Sequence, residues 1–120
     1  MTARLLTPIQ GICCDPPLPD TYTCTLDYGW WLSPYGTYTL DRTTPCSLDW
    51  FDQFDITFPV RLRLAWNATS GHWYMRNERN TGGGWQVTFN TNSVSTDPCA
   101  PAGVYLCADE ESTFWRCIIS

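Results

Sequence analysis

Apolar and polar residues alternate one by one over much of this chain, and that period of two constrains it most, because only an extended strand turns successive side chains to opposite faces. The alternation is clearest in Thr21-Tyr22-Thr23-Cys24-Thr25-Leu26, where Tyr22, Cys24 and Leu26 share one face and the threonines the other. Gly36-Thr37-Tyr38-Thr39-Leu40 repeats it after the turn-rich Ser33-Pro34. In residues 58–66, Leu62, Leu64 and Trp66 face inward and Arg61 and Arg63 outward, with Pro59 marking the strand's start or a sheet edge. His72-Trp73-Tyr74-Met75 and Trp85-Gln86-Val87-Thr88-Phe89 flank a polar loop ending in Gly82-Gly83-Gly84, the pattern of a hairpin with a long connection. Residues 104–107 and 114–119 form a last pair across the acidic turn Asp109-Glu110-Glu111-Ser112. Seven short strands at this spacing predict an all-β fold, an antiparallel β-sandwich or a small β-barrel. The one helical piece expected is residues 47–54, about two turns with Ser47 as N-cap.

A chain of 120 residues is one domain's worth. The pattern divides it into a proline-rich N-terminal arm with a cysteine pair, residues 1–20, and a single β-domain, residues 21–120. Seven Trp, six Tyr and five Phe within a 43% hydrophobic composition supply a real core. The positive charges are seven arginines with no lysine, and twelve acids bring the net charge to -5. That balance argues against a nucleic-acid partner, whose phosphates call for a basic surface. The missing lysine excludes a Walker-type phosphate loop and Schiff-base chemistry.

The first residues lack the apolar stretch of about 7–15 residues that a secretory leader needs, and no window approaches the about 18 apolar residues of a membrane span. The expectation is a product made in the cytosol, with no membrane partner. Cys13, Cys14, Cys24, Cys46, Cys99, Cys107 and Cys117 nevertheless match the density of disulfide-stapled extracellular domains. The two readings agree if the protein reaches an oxidising medium inside a particle released by cell lysis. Because seven is odd, at least one thiol stays outside any intrachain bridge. No C-x2–4-C knuckle is present, so structural disulfides are favoured over reduced core cysteines and over a metal, and no cofactor is expected. A simple hairpin at Glu110-Glu111 sets Cys107 opposite Phe114 or Trp115, so Cys107 and Cys117 should not bond to each other. A bridge between the neighbours Cys13 and Cys14 is strained; separate partners would tie the arm to two places on the domain.

Trp30 and Trp31, with Tyr28 and Tyr35, sit in a Gly/Pro loop, where exposed rings suit a protein-contact hot spot or sugar stacking. The arm residues Pro16, Pro17, Leu18 and Pro19 join them as the candidate interface. Asp49, Asp52 and Asp55 recur every three residues, the wrong spacing for an EF-hand, and read as a surface acid stripe. His72 is the sole histidine and no G-x-S-x-G accompanies it, which leaves no catalytic motif. Asn67-Ala68-Thr69 matches the glycosylation acceptor pattern. Arg61, Arg63, Arg76 and Arg79 gather on one face if the fold allows, either to seat an acidic partner or as a solvated surface.

The segment Gly11-Ile12-Cys13-Cys14-Asp15-Pro16-Pro17-Leu18-Pro19-Asp20-Thr21-Tyr22, followed by Gly36-Thr37-Tyr38-Thr39-Leu40, Leu62-Arg63-Leu64 and Asp97-Pro98-Cys99, resembles a group of short cysteine-rich proteins encoded by tailed bacteriophages and some environmental bacteria. The resemblance implies a virion or surface structural component and supplies no catalytic residues. The expected function is therefore a non-enzymatic virion protein, a capsid decoration or cement protein or a small tail-appendage subunit. Its partners would be other virion proteins in a symmetric assembly. The alternative is a carbohydrate-binding module that stacks glycans on Trp30, Trp31, Trp73 and Tyr74.

Overall fold

A computed structural model describes residues 13–28, 36–55, 59–93, 95–107 and 116–120. Among these residues eight strands follow one another: β1 (Thr21–Tyr28), β2 (Gly36–Arg42), β3 (Asp49–Asp55), β4 (Pro59–Asn67), β5 (His72–Asn80), β6 (Trp85–Asn92), β7 (Gly103–Cys107) and β8 (Arg116–Ile119). Each pairs antiparallel with the next, and β8 returns to pair with β1, so the sheet closes into an up-and-down barrel. Of the two all-β architectures expected, the barrel is the one adopted, with one strand more than the sequence pattern indicated.

The additional strand is β3, in the segment expected to be helical. Trp50, Phe51 and Phe54 sit at spacings that fit a helix face as well as a strand, and two isolated helical turns carry no stability of their own. Tertiary pairing decides between them. β3 runs in unbroken register along β4, from Asp49 opposite Ala65 to Asp55 opposite Pro59. This sends Trp50 into the core, where it is fully buried. The same pleat separates the expected acid stripe: Asp49 lies on the outer face and Asp52 on the inner one.

The inner face follows the period of two. Tyr22, Cys24 and Leu26 of β1, Leu40 of β2, Trp50 of β3, Leu62 and Leu64 of β4, Trp73 and Met75 of β5, Tyr105 of β7, and Cys117 and Ile119 of β8 form one core cluster. Trp66 is half-buried and packs against it. Aromatic rings run across the barrel, with Tyr22 edge-on to Trp50 at 5.1 Å, Trp50 at 5.9 Å from Trp73, and Trp73 at 5.7 Å from Trp66. Burying each large apolar side chain contributes about 1.5–3 kcal/mol, so this filled interior is the main source of stability.

The wall is uneven. β4 and β5 pair along nearly their full length, from Val60 opposite Arg79 to Asn67 opposite His72. By contrast, among the described residues β2 meets β3 only at Asp41–Phe51 and Arg42–Trp50, and β6 meets β7 only at Thr91–Cys107 and Asn92–Leu106. The turns that cross these two short seams, whose described residues are 43–48, 93 and 95–102, lie at the same end of the barrel as the start of β1.

Candidate functional site

The N-terminal arm is bound to that end. Cys13 is bridged to Cys46 in the β2–β3 turn and Cys14 to Cys99 in the β6–β7 loop. Adjacent in the chain, the two cysteines thus join the arm to two different loops. Cys13 is exposed and Cys14 buried. Cys24 and Cys117 are buried thiols of the barrel wall. Tyr105 stands opposite Cys117, so Cys107 is not its cross-strand partner, in line with the hairpin argument.

Beyond the bridges the arm and the loop accept hydrogen bonds from the core. Trp50 Nε1 donates to the Pro19 carbonyl at 3.1 Å, Trp73 Nε1 to the Asp97 carbonyl at 2.8 Å, and the Tyr105 hydroxyl to the Pro101 carbonyl at 2.6 Å. A buried donor needs such a partner, because leaving it unmade costs about 1–3 kcal/mol. Burial pushes the Tyr105 phenol well above its ordinary range, more than its hydrogen bonding to Ser93 lowers it. Leu18 packs against the core, and the Asp20 carbonyl accepts the Arg42 N–H at 2.9 Å. The loop is braced from within: the Ser95 hydroxyl donates to the Ala100 carbonyl at 2.9 Å, and Asp97 Oδ1 accepts the Cys99 N–H at 2.9 Å. Arm and loop together form a cap on the barrel.

A cleft of about 360 Å³ opens beside the cap, lined by Asp20, Thr21, Asp41, Arg42, Thr43, Thr44 and Pro45. Thr21 Oγ1 donates to Asp41 Oδ1 at 3.1 Å, and the Arg42 guanidinium lies over the Trp50 ring at 4.6 Å.

The second constellation is on the outer wall of β3–β6. The register sets Phe51, Arg63, Arg76 and Asn90 in one cross-strand row, and Gln53, Arg61, Glu78 and Val87 in the next. Arg61 Nε meets Glu78 Oε1 at 2.6 Å, while Arg63 Nη1 and Arg76 Nη1 stand 3.7 and 3.8 Å from Glu78 Oε2. Arg63 also grips Asp49 with two nitrogens, each at 2.9 Å. That bond to Asp49 raises the Arg63 pKa, against the opposing effect of burial. Aromatic rings hold the guanidiniums: Arg61 lies 4.3 Å from the Trp85 centroid and 5.5 Å from that of Phe51, and Arg76 lies 4.1 Å from that of Tyr74. Three guanidiniums and two carboxylates make this cluster itself net positive, with acidic Asp41 next in its row opposite Phe51. Val87, 48% exposed, extends it as an apolar neighbour.

Of the four arginines expected to gather, Arg61, Arg63 and Arg76 do so. Arg79 does not, because three residues from Arg76 is an odd number of steps along a strand and puts it in the opposite-face row with Val60. Glu78, the centre of the group, was not identified from the sequence; its signal is its place two residues after Arg76.

The glycan residues fare differently. Trp73 is fully buried in the core, and Tyr74 is buried beneath the Arg76 guanidinium, so neither presents an open ring face. Trp30, Trp31 and Tyr35 lie outside the described residues, as does the side chain of Tyr28. In the arm, Pro16, Pro17 and Pro19 are exposed, while Leu18 is committed to the protein's own core. His72 begins β5 opposite Asn67. Asn67 Oδ1 accepts the N–H groups of Thr69 and Ser70 at 2.9 and 3.2 Å, which makes it a turn-forming residue of the β4–β5 hairpin. Among the described residues no three His, Cys, Asp or Glu side chains converge as a metal site.

Compared with protein families, curated proteins and solved structures, the chain matches none at a significant level.

Proposed function

We propose that this protein is a non-enzymatic structural module that works by surface contact, and that it belongs to a tailed-phage particle as a decoration protein or small tail-appendage subunit. The contact reading is carried by Glu78, whose side chain is only 4% exposed although it stands on the outside of the barrel. It is roofed by guanidiniums that aromatic rings keep in place. Arginine and aromatic residues fixed in position are the groups enriched at protein-contact hot spots, since little side-chain freedom remains to be lost on binding. The three fixed guanidiniums suit an acidic segment of a partner protein, with Val87 offering apolar contact. The particle reading draws on the resemblance of residues 11–22 and on a bridged cap suited to an oxidising medium.

Sedimentation of particles from the source that encodes the chain, with quantitative mass spectrometry of the particle and soluble fractions, tests the proposal. Stoichiometric recovery with the particles is expected, and the charge reversal Arg76→Glu should weaken it. Recovery only in the soluble fraction would overturn the particle reading. Undiminished recovery of folded Arg76→Glu and Val87→Asp variants would overturn the assignment of the face.

A further inference from the structure

We propose that residues 13–20 of the N-terminal arm are a redox-operated latch, which closes one end of the barrel when Cys13–Cys46 and Cys14–Cys99 are oxidised and lifts from it when they are reduced.

The wall does not include the arm. Residues 13–20 form no strand, whereas the ladder that begins at Thr21 closes on itself through β1 and β8. The core cluster is drawn entirely from the strands, with Leu18 packed on its rim. Reduction therefore removes a cover and leaves the barrel's own pairing in place.

The bridges land in turns and not on the strands. Cys46 and Cys99 lie in the two turns that cross the short β2–β3 and β6–β7 seams. Segments with few ladder bonds open at low free-energy cost, so these turns are the parts of the end most dependent on an external tie. Both ties run to adjacent residues of one short arm, which couples the two seams through a single segment.

The cap covers the donor ends of three core aromatics. The acceptors for Trp50, Trp73 and Tyr105 are carbonyls of the arm and of the loop that Cys14 holds. Lifting the cap hands these donors to water and uncovers the ends of three core aromatics, a new apolar surface that the closed form hides.

The exchange chemistry is ordinary. A thiolate of a small thiol such as glutathione attacks one sulfur of a bridge, breaking the S–S bond and forming a mixed disulfide with release of a protein thiolate. A second thiol cleaves the mixed disulfide. Per bridge, two glutathiones become one glutathione disulfide, and their two protons and two electrons end on two cysteines. Glutathione disulfide drives the reverse, closing step. Exposed Cys13 makes Cys13–Cys46 the first bridge to open, and buried Cys14 makes Cys14–Cys99 the second.

Amide hydrogen exchange of the full chain in glutathione buffers of rising reducing ratio tests the latch, with thiol labelling followed residue by residue. The Cys99, Ala100 and Arg42 N–H groups, bonded to cap or loop oxygens in the closed form, should exchange at least about tenfold faster after reduction. Amides of Leu62, Leu64 and Met75 should keep their protection, and Cys13 and Cys46 should label before Cys14 and Cys99. The quadruple variant Cys13→Ser/Cys14→Ser/Cys46→Ser/Cys99→Ser should reproduce the reduced pattern. Loss of protection throughout the barrel on reduction would overturn the proposal by showing that the bridges hold the whole fold. Unchanged exchange at the cap and loop would overturn it by showing that the arm stays seated without them.

Discussion

The indole of Trp50 donates to the Pro19 carbonyl at 3.1 Å, joining the centre of the barrel core to the arm that caps it. Trp50 also touches Tyr22 and Trp73 through ring contacts, so one side chain links cap, wall and core. Trp50→Phe keeps a ring but removes the donor, and the smaller ring leaves unfilled space. A destabilisation of about 2–4 kcal/mol is expected from the lost hydrogen bond and the cavity together, measured as a lower urea midpoint with an unchanged slope.

Glu78 and Asp49 provide a graded pair. Glu78 is nearly sealed from water and faces three guanidiniums, whereas Asp49 is 26% exposed and serves Arg63. Removing one member of a buried ion pair strands the others, at a cost of about 3–5 kcal/mol, while an exposed pair is worth about 0–1 kcal/mol. Glu78→Ala should therefore lower the denaturation midpoint by much more than Asp49→Ala. Equal effects would show that Glu78 is not the centre of the group.

Asp52 lies on the inner face, and its pKa is raised, first by burial and then by the charge of Asp41. A raised folded-state pKa means that the folded protein holds the proton more tightly than the unfolded chain. The favourable contribution is complete below the ordinary carboxylate range and disappears as pH rises through the folded-state value. At neutral pH the ionised Asp52 is a net penalty, so Asp52→Asn should stabilise the protein there and give little benefit in acid. Urea melts of both proteins at the two pH values check the sign.

The alkaline side has its own prediction. Tyr22, Tyr38 and Tyr105 all have pKa values raised by burial, so each contributes stability that is present below pH 10 and lost as pH climbs through the folded-state values. Their ionisation should coincide with loss of the sheet above pH 10, read by tyrosinate absorbance and circular dichroism on one sample. Tyr105→Phe should move that transition to higher pH.

Most of the wall was legible in the sequence because each strand carries its own period-two pattern, and Tyr22, Cys24, Leu26, Leu62 and Leu64 all face the core as that pattern requires. β3 was not, since Trp50, Phe51 and Phe54 satisfy two periodicities and only pairing with β4 chooses between them. The outer-face arginines were half legible: the alternation of Arg61 and Arg63 marks their face, but nothing local shows that Glu78 crosses over to meet them. For the arm, the local chemistry of Cys13 and Cys14 favours separate partners. Their identity depends on which turns barrel closure brings to the same end, a property of the whole chain.

The pairing of the cysteines tests the account most directly. The protein would be alkylated in denaturant without reductant, digested and mapped by mass spectrometry. Cys13 should be linked to Cys46 and Cys14 to Cys99, with Cys24 and Cys117 alkylated. On a chain-entropy estimate such loops are worth about 3–5 kcal/mol each, so the reduced protein should also melt measurably lower. Alkylation of Cys13, Cys14, Cys46 and Cys99, or either arm cysteine linked to a different partner, would contradict the bridged cap.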